Sequence, residues 1–147
     1  MNTEEELEPA ITSMRTLNKG AAIAMEEVGV QGCTDITGLG GVGYVYELAH
    51  GCGVRVELQA DAIPLFDGTL DLIEKEAVPG GARFNQGHFG KWVQIDDTIS
   101  THMQTALYDP QTSGGLLIAV APDKAQKLVT ILEREKCLCA GIIGQVK

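Results

Sequence analysis

Long apolar runs are missing from this sequence of 147 residues. No uninterrupted stretch approaches the ~20 residues that a bilayer-spanning helix needs, so no membrane partner is expected. Positive charge is scarce too. Lys and Arg number 11 against 20 Asp and Glu, a formal net charge of −9, and the basic residues form no cluster. Such a surface repels nucleic-acid phosphates, which excludes nucleic acid as an expected partner. An anionic small molecule would be repelled as well, unless divalent cations stand between it and the carboxylates. The four cysteines, Cys33, Cys52, Cys137 and Cys139, lack the paired CxxC spacing of a structural zinc site. They read as unremarkable thiols in a reducing compartment, the cytoplasm, with Cys137 and Cys139 as neighbours on one strand face. His50, His88 and His102 fit no metal-ligand spacing, and no Ser/His/Asp order stands out. The opening MNTEEELEP has neither a basic nor an apolar region of the kind a secretory signal uses.

What is present suits one ordinary domain. A chain near this length buries roughly two-thirds of its unfolded surface, and 44% hydrophobic with 21% charged residues is a globular balance. Residues 1–10 read as an acidic, flexible segment ahead of a single domain over 11–147. There is no repeat, low-complexity tract or Pro/Ser-rich linker.

Periodicity predicts alternating helices and extended pieces. A first helix is expected over 12–28, with Met14, Leu17, Ala21, Ala24 and Val28 on one apolar face and Gly29 as its stop. Extended chain follows over 30–36, then a helix over 42–50. VRVEL at 54–58 alternates as a half-buried strand does. A helix starting at Asp67 or Thr69 runs to about Glu76, a Pro-Gly-Gly turn covers 79–81, a strand 92–95 and a short helix 99–107. LLIAV at 116–120 is a buried strand, 122–136 a helix opened by Pro122, and 140–146 a closing strand. The class is α+β, an α/β sandwich with helices layered on a mixed sheet.

Three stretches have chemical potential. In CTDITGLGGVG, Gly38, Gly40 and Gly43 satisfy G-x-G-x-x-G ahead of a helix, the pattern of a dinucleotide-binding turn. The preceding segment is short and polar, however, and Asp35 sets a negative charge where a pyrophosphate would lie. That objection disappears if a metal ion intervenes. A carboxylate among the hydroxyls of Thr34 and Thr37, leading into the turn at Gly38, suits Mg²⁺, which prefers oxygen ligands and keeps several waters. The alternative is equally open: Asp35 caps the helix and the glycines permit tight packing. In DPQTSGG, Pro110 fixes its own φ, while Gly114 and Gly115 permit angles closed to other residues. Between them lie Gln111, Thr112 and Ser113, after Asp109. Without a lysine, and with a strand following, this is no Walker A loop; by itself it reads as a shaped loop that supports the LLIAV strand. In PGGARFN, Arg83 has the fork for a phosphate and Asn85 can donate or accept; an ordinary surface turn is the alternative.

Taken together the segments resemble the selenophosphate synthetases (selenide, water dikinases). GCTDITGLGGVG is similar to the family's HACTDVTGFGLLGH, and LYDPQTSGGLLIAV to its counterpart almost throughout. TSMRTLNKGAA, PGGARFN and AGIIGQV follow the family's order over nearly the whole chain. These enzymes belong with the aminoimidazole ribonucleotide synthetase-like group and make selenophosphate from selenide, ATP and water, releasing AMP and phosphate. The resemblance implies a carboxy-terminal domain in a homodimeric, cytoplasmic parent that holds Mg²⁺ and ATP between two domains. It implies Asp35 as this domain's metal-binding aspartate, with the DPQTSGG loop and the Arg83/Asn85 turn near the cleft. It implies no catalytic residue in this chain, because the family's reactive Cys or selenocysteine and its neighbouring Lys lie in the ATP-binding amino-terminal domain, so the chain alone is expected to be inactive. Gln31 and Tyr44 stand where the family carries histidines. Rival readings are a nucleotide-cofactor module built on Gly38 to Gly43, a non-catalytic interaction domain, and a related synthetase with another acceptor.

Overall fold

The computed structural model describes residues 4–30 and 32–147. Two long segments set the first core. Helix α2 (Lys19–Val28) places Ala21, Ala24 and Val28 on one face, and α7 (Pro122–Arg134) answers with Leu128, Ile131 and Leu132, all buried. Gly29 ends α2 in the left-handed region at φ 75°, its N–H turned back to the Met25 and Glu26 carbonyls. That conformation is inexpensive only for glycine. Leu116, Ile118 and Val120 pack under this helix pair. Its exposed rim carries an ion pair, Arg134 to Glu27 at 2.6 Å. The hydrogen bonds from Arg134 hold the Glu27 carboxyl below its ordinary range, but a solvent-exposed pair of this kind adds little stability.

Past the short α4 (Thr69–Glu74), a second core joins α3 (Gly40–Cys52), α5 (Gly80–Phe89) and the end of α6 (Thr101–Leu107). Val42, Phe89 and Tyr108 are buried there. Ser100 caps α6 by accepting a hydrogen bond from the Met103 amide at 3.1 Å. Helix α3 ends at Gly53, again left-handed at φ 65°.

The α+β class is as expected. Among the described residues, however, the strands pair in two separate antiparallel ladders and not in one mixed sheet. Strand β1 (Gly32–Asp35) pairs with β3 (Leu116–Ala119), and β2 (Val56–Leu58) with β4 (Gly144–Val146). These strands, of three or four residues, lie at the short end of the usual range.

Several local expectations are corrected. The helix predicted over 12–28 is two, α1 (Glu4–Arg15) and α2, interrupted at Thr16 to Asn18. The Thr16 hydroxyl and amide both donate to the Thr12 carbonyl, at 2.7 and 3.0 Å, and close the last turn of α1. Met14 and Leu17 are consequently exposed, Leu17 by 81%. The described part of the opening segment is therefore helical. The Pro-Gly-Gly turn is the start of α5, with Pro79 extended at φ −67°, ψ 146° just before it. The strand expected over 92–95 begins as a 3-10 helix, Gly90–Trp92, that continues from α5; among the described residues no strand pairs with this segment. The closing strand shortens to β4, and Cys137 follows the end of α7 without lying on a strand with Cys139. No helix among the described residues is long and apolar enough to cross a membrane.

Candidate functional site

The site is assembled by the β1/β3 ladder. Its register sets Asp35 opposite Leu116, so the ends of β1 and β3 leave the sheet side by side. Two loops continue from that corner in contact. The Ile36 N–H donates to the Gly115 carbonyl at 3.0 Å, the Gly114 N–H to the Ile36 carbonyl at 2.9 Å, and the Gln111 N–H to the Thr37 carbonyl at 2.9 Å. A side chain on Gly114 would collide with the Ile36 carbonyl, which is why glycine stands there. The glycine-rich segment and the DPQTSGG loop, separate in sequence, thus form one continuous edge.

Asp35 is exposed at this edge and takes part in no ion pair among the described residues. Thr34 and Thr37 are half-buried. The Thr34 hydroxyl donates to the Asp35 carbonyl at 3.3 Å, and the Thr37 hydroxyl is hydrogen-bonded to the Tyr44 hydroxyl. Tyr44, which stands where the resemblance puts a histidine, therefore engages Thr37; Gln31 lies outside the described residues. Gly38, Thr112 and Ser113 are exposed, and Gly114 is half-buried. Asn18 reaches over from the α1–α2 junction, donating to the Gly114 carbonyl at 3.5 Å.

Asp109 and Gln111 turn toward each other. The Gln111 amide donates to the Asp109 carboxylate at 2.9 Å. Burial raises the Asp109 carboxyl above its ordinary range, partly offset by that hydrogen bond. An acid whose folded pKa is raised binds protons more tightly folded than unfolded, so its ionised form costs stability at neutral pH and the cost fades as pH falls. Asp109→Asn keeps an acceptor for Gln111. It is expected to raise the thermal midpoint at pH 7 and to lose that advantage on acidification through the carboxylate range. Parallel melting curves of the two proteins check this; an advantage independent of pH contradicts it.

Arg83 and Asn85, two positions apart on α5, point to different places. Asn85 turns inward beneath the two loops. Arg83 lines a separate cavity of about 310 Å³ with Glu74, Gln86 and His102. That follows from ~100° per residue in an α-helix. Arg83 is thus not gathered with the other candidates. Two contributors are absent from the sequence reading: Tyr108, only 1% exposed, and Asn18. Cys33, next to the site, is no poised nucleophile: burial first, then the charge of Asp35, push its thiol above the ordinary value.

The donor set favours a hydrated hard cation over a soft one. Among the described residues no group of three or more His, Cys, Asp and Glu side chains could hold a metal. One exposed carboxylate without a cluster around it suits a hard cation that keeps most of its waters, such as Mg²⁺. A dinucleotide turn is a poor match: β1 pairs antiparallel with β3, whereas that fingerprint belongs to a parallel βαβ unit.

The family model described as "AIR synthase related protein, C-terminal domain" matches residues 3–147. The chain belongs to that family. As an AIR synthase related C-terminal domain it is similar to the "Selenide, water dikinase" of Pelobacter propionicus, 41% identical over 141 residues, covering 95% of this chain and 40% of that protein. It is 42% identical over 142 residues to the one of Caldanaerobacter subterraneus, covering 94% and 40%. For Clostridioides difficile the figures are 37% over 136 residues, 92% and 39%. The chain thus spans about 40% of the length of these curated relatives.

Proposed function

We propose that this domain forms one wall of a Mg·ATP cleft in an enzyme that makes selenophosphate from selenide, ATP and water, its other wall being an amino-terminal ATP-binding domain. The observation that carries the reading is the position of Asp35, exposed at the end of β1 beside the Ser113–Gly115 turn. Membership of the AIR synthase related family and the names of the relatives add support.

Phosphoryl transfer asks a protein mainly for positioning and charge neutralisation. Asp35 would help hold Mg²⁺, which would supply positive charge to offset that of the phosphates. The −9 chain and its anionic substrate become compatible in this way. Thr112 and Ser113 present hydroxyls at the same edge and would donate to phosphate oxygens. Gly38 offers open backbone, with nothing within 4 Å of where a Cβ would sit. Asp109 and Gln111, engaged with each other, shape the loop. No residue here is assigned as nucleophile or general base.

The test joins this chain to the amino-terminal remainder of the Pelobacter propionicus relative. The chimera is expected to form AMP from ATP only with both selenide and Mg²⁺, while the 147-residue chain alone forms none. AMP formation by the chain alone, or a folded chimera no more active than the amino-terminal remainder, overturns the reading.

A further inference from the structure

Asn85 is the one polar side chain, tyrosine aside, that is buried among the described residues, at 3% exposure. Its position follows from the stripe Ala82, Asn85 and Phe89, which faces the second core. An uncompensated amide in such a place costs stability, so its hydrogen bonds need accounting for. A primary amide has two N–H donors. The Asn85 nitrogen donates to the Gly38 carbonyl at 3.0 Å and to the Tyr108 carbonyl at 3.0 Å. The first acceptor lies in the segment that carries Asp35; the second begins the DPQTSGG loop.

We propose that Asn85 is a positioning residue that clamps these two loops together, and that it touches no ligand itself. Two carbonyl oxygens converging on one point repel each other, and a double donor between them turns that repulsion into attachment. Aspartate, of the same shape, has no N–H to offer. The contacts around the clamp are equally close. A Cβ on Gly40 would lie 2.8 Å from the Tyr108 carbonyl, and one on Gly81 would lie 2.9 Å from Pro110 Cγ. From the clamp the loop-to-loop hydrogen bonds run through Gln111 and Gly114 to the β1/β3 ladder. Asn85 therefore closes one end of a zipper whose other end is Asp35. With it in place, Asp35 and Ser113 share one edge; without it, they separate. The consequence for a bound cation rests on the Mg·ATP reading, whereas the clamp itself does not.

The experiment compares the ¹⁵N-labelled 147-residue chain with Asn85→Asp and Asn85→Ser, using amide hydrogen exchange and Mn²⁺ titration. Amide exchange at Gln111 and Gly114 is expected to accelerate about tenfold or more in both variants, with Ile131 in the distant α7 unchanged. Mn²⁺ is expected to broaden amides of 35–38 and 113–115 together in the parent, but to broaden 113–115 less than 35–38 in the variants. A residue that merely supports the fold would not divide that pattern. Should Asn85→Asp fail to fold, Asn85→Ser, which retains one donor, decides alone. The proposal is overturned if both segments broaden in the variants as in the parent, or if Ile131 accelerates equally. If Mn²⁺ broadens neither segment in the parent, the metal reading fails, and the exchange rates alone decide the clamp.

Discussion

Asp35→Ala in the chimeric enzyme is expected to lower selenide-dependent AMP formation by about a thousandfold, roughly 4 kcal/mol of transition-state stabilisation. Its thermal midpoint is expected to stay close to that of the parent chimera. The two halves of this result have separate physical origins. The side chain is exposed and in no ion pair among the described residues, so folding loses almost nothing; surface substitutions of this kind usually fall within about 0.5 kcal/mol. The β1/β3 pairing runs through the backbone, which alanine retains. On the Mg·ATP reading, in contrast, the cation would lose the carboxylate that this domain offers it. Asp35→Asn distinguishes charge from shape, because it preserves size and an oxygen ligand while removing the negative charge. If charge is what matters, Asn falls nearly as far as Ala, and raising Mg²⁺ recovers part of the loss. Full activity of Asp35→Ala removes the metal role, and a large drop in midpoint reassigns Asp35 to structure.

Much of this arrangement could be read from residues that act locally. Gly29 and Gly53 end their helices in the left-handed region, as glycine after an apolar stripe suggests. Pro122 opens α7, and Asp35 lies where a short strand passes into a glycine turn. What could not be read depends on partners far away in sequence. The register that sets Asp35 against Leu116 is fixed by the burial of Ile118 and Leu116 under α2 and α7, contacts that no window around Asp35 contains. The first helix divides at Thr16 to Asn18, while the apolar spacing runs on through Leu17 as though uninterrupted. Helix α5 was hidden by Pro-Gly-Gly, a turn signal when taken alone. Yet Ala82, Asn85 and Phe89 repeat at helical spacing. Placing them on a helix would have turned Asn85 inward and Arg83 away. The second core holds the same lesson, since Tyr108 follows a polar helix and precedes a polar loop, and only tertiary packing reveals it as the residue both loops rest on.

Two adjacent glycines decide between the alternatives left open for the glycine-rich segment. Gly40 has φ 70°, and an added Cβ would lie 2.8 Å from both the carbonyl carbon and oxygen of Tyr108. Alanine there meets an unfavourable backbone region and a rigid obstacle together, so Gly40→Ala is expected to cost roughly 2–5 kcal/mol. Gly41, one residue on, would place a Cβ 3.8 Å from the Leu107 carbonyl, an ordinary contact, and lies within α3. Gly41→Ala is therefore expected to leave stability unchanged or raise it by up to about 1 kcal/mol, through alanine's better helix propensity. Urea unfolding of both variants measures the contrast. A cradle in which backbone approaches phosphate would behave otherwise: Gly40→Ala would lose only the ~1–2 kcal/mol of its left-handed conformation, and each substitution would impair nucleotide binding. If Gly40→Ala unfolds at the parent's urea concentration, the close approach to Tyr108 is not what requires glycine. If it alone is strongly destabilised, Gly40 serves the packing that brings Tyr108 under the two loops, and phosphate contact is left to the exposed Gly38, Thr112 and Ser113.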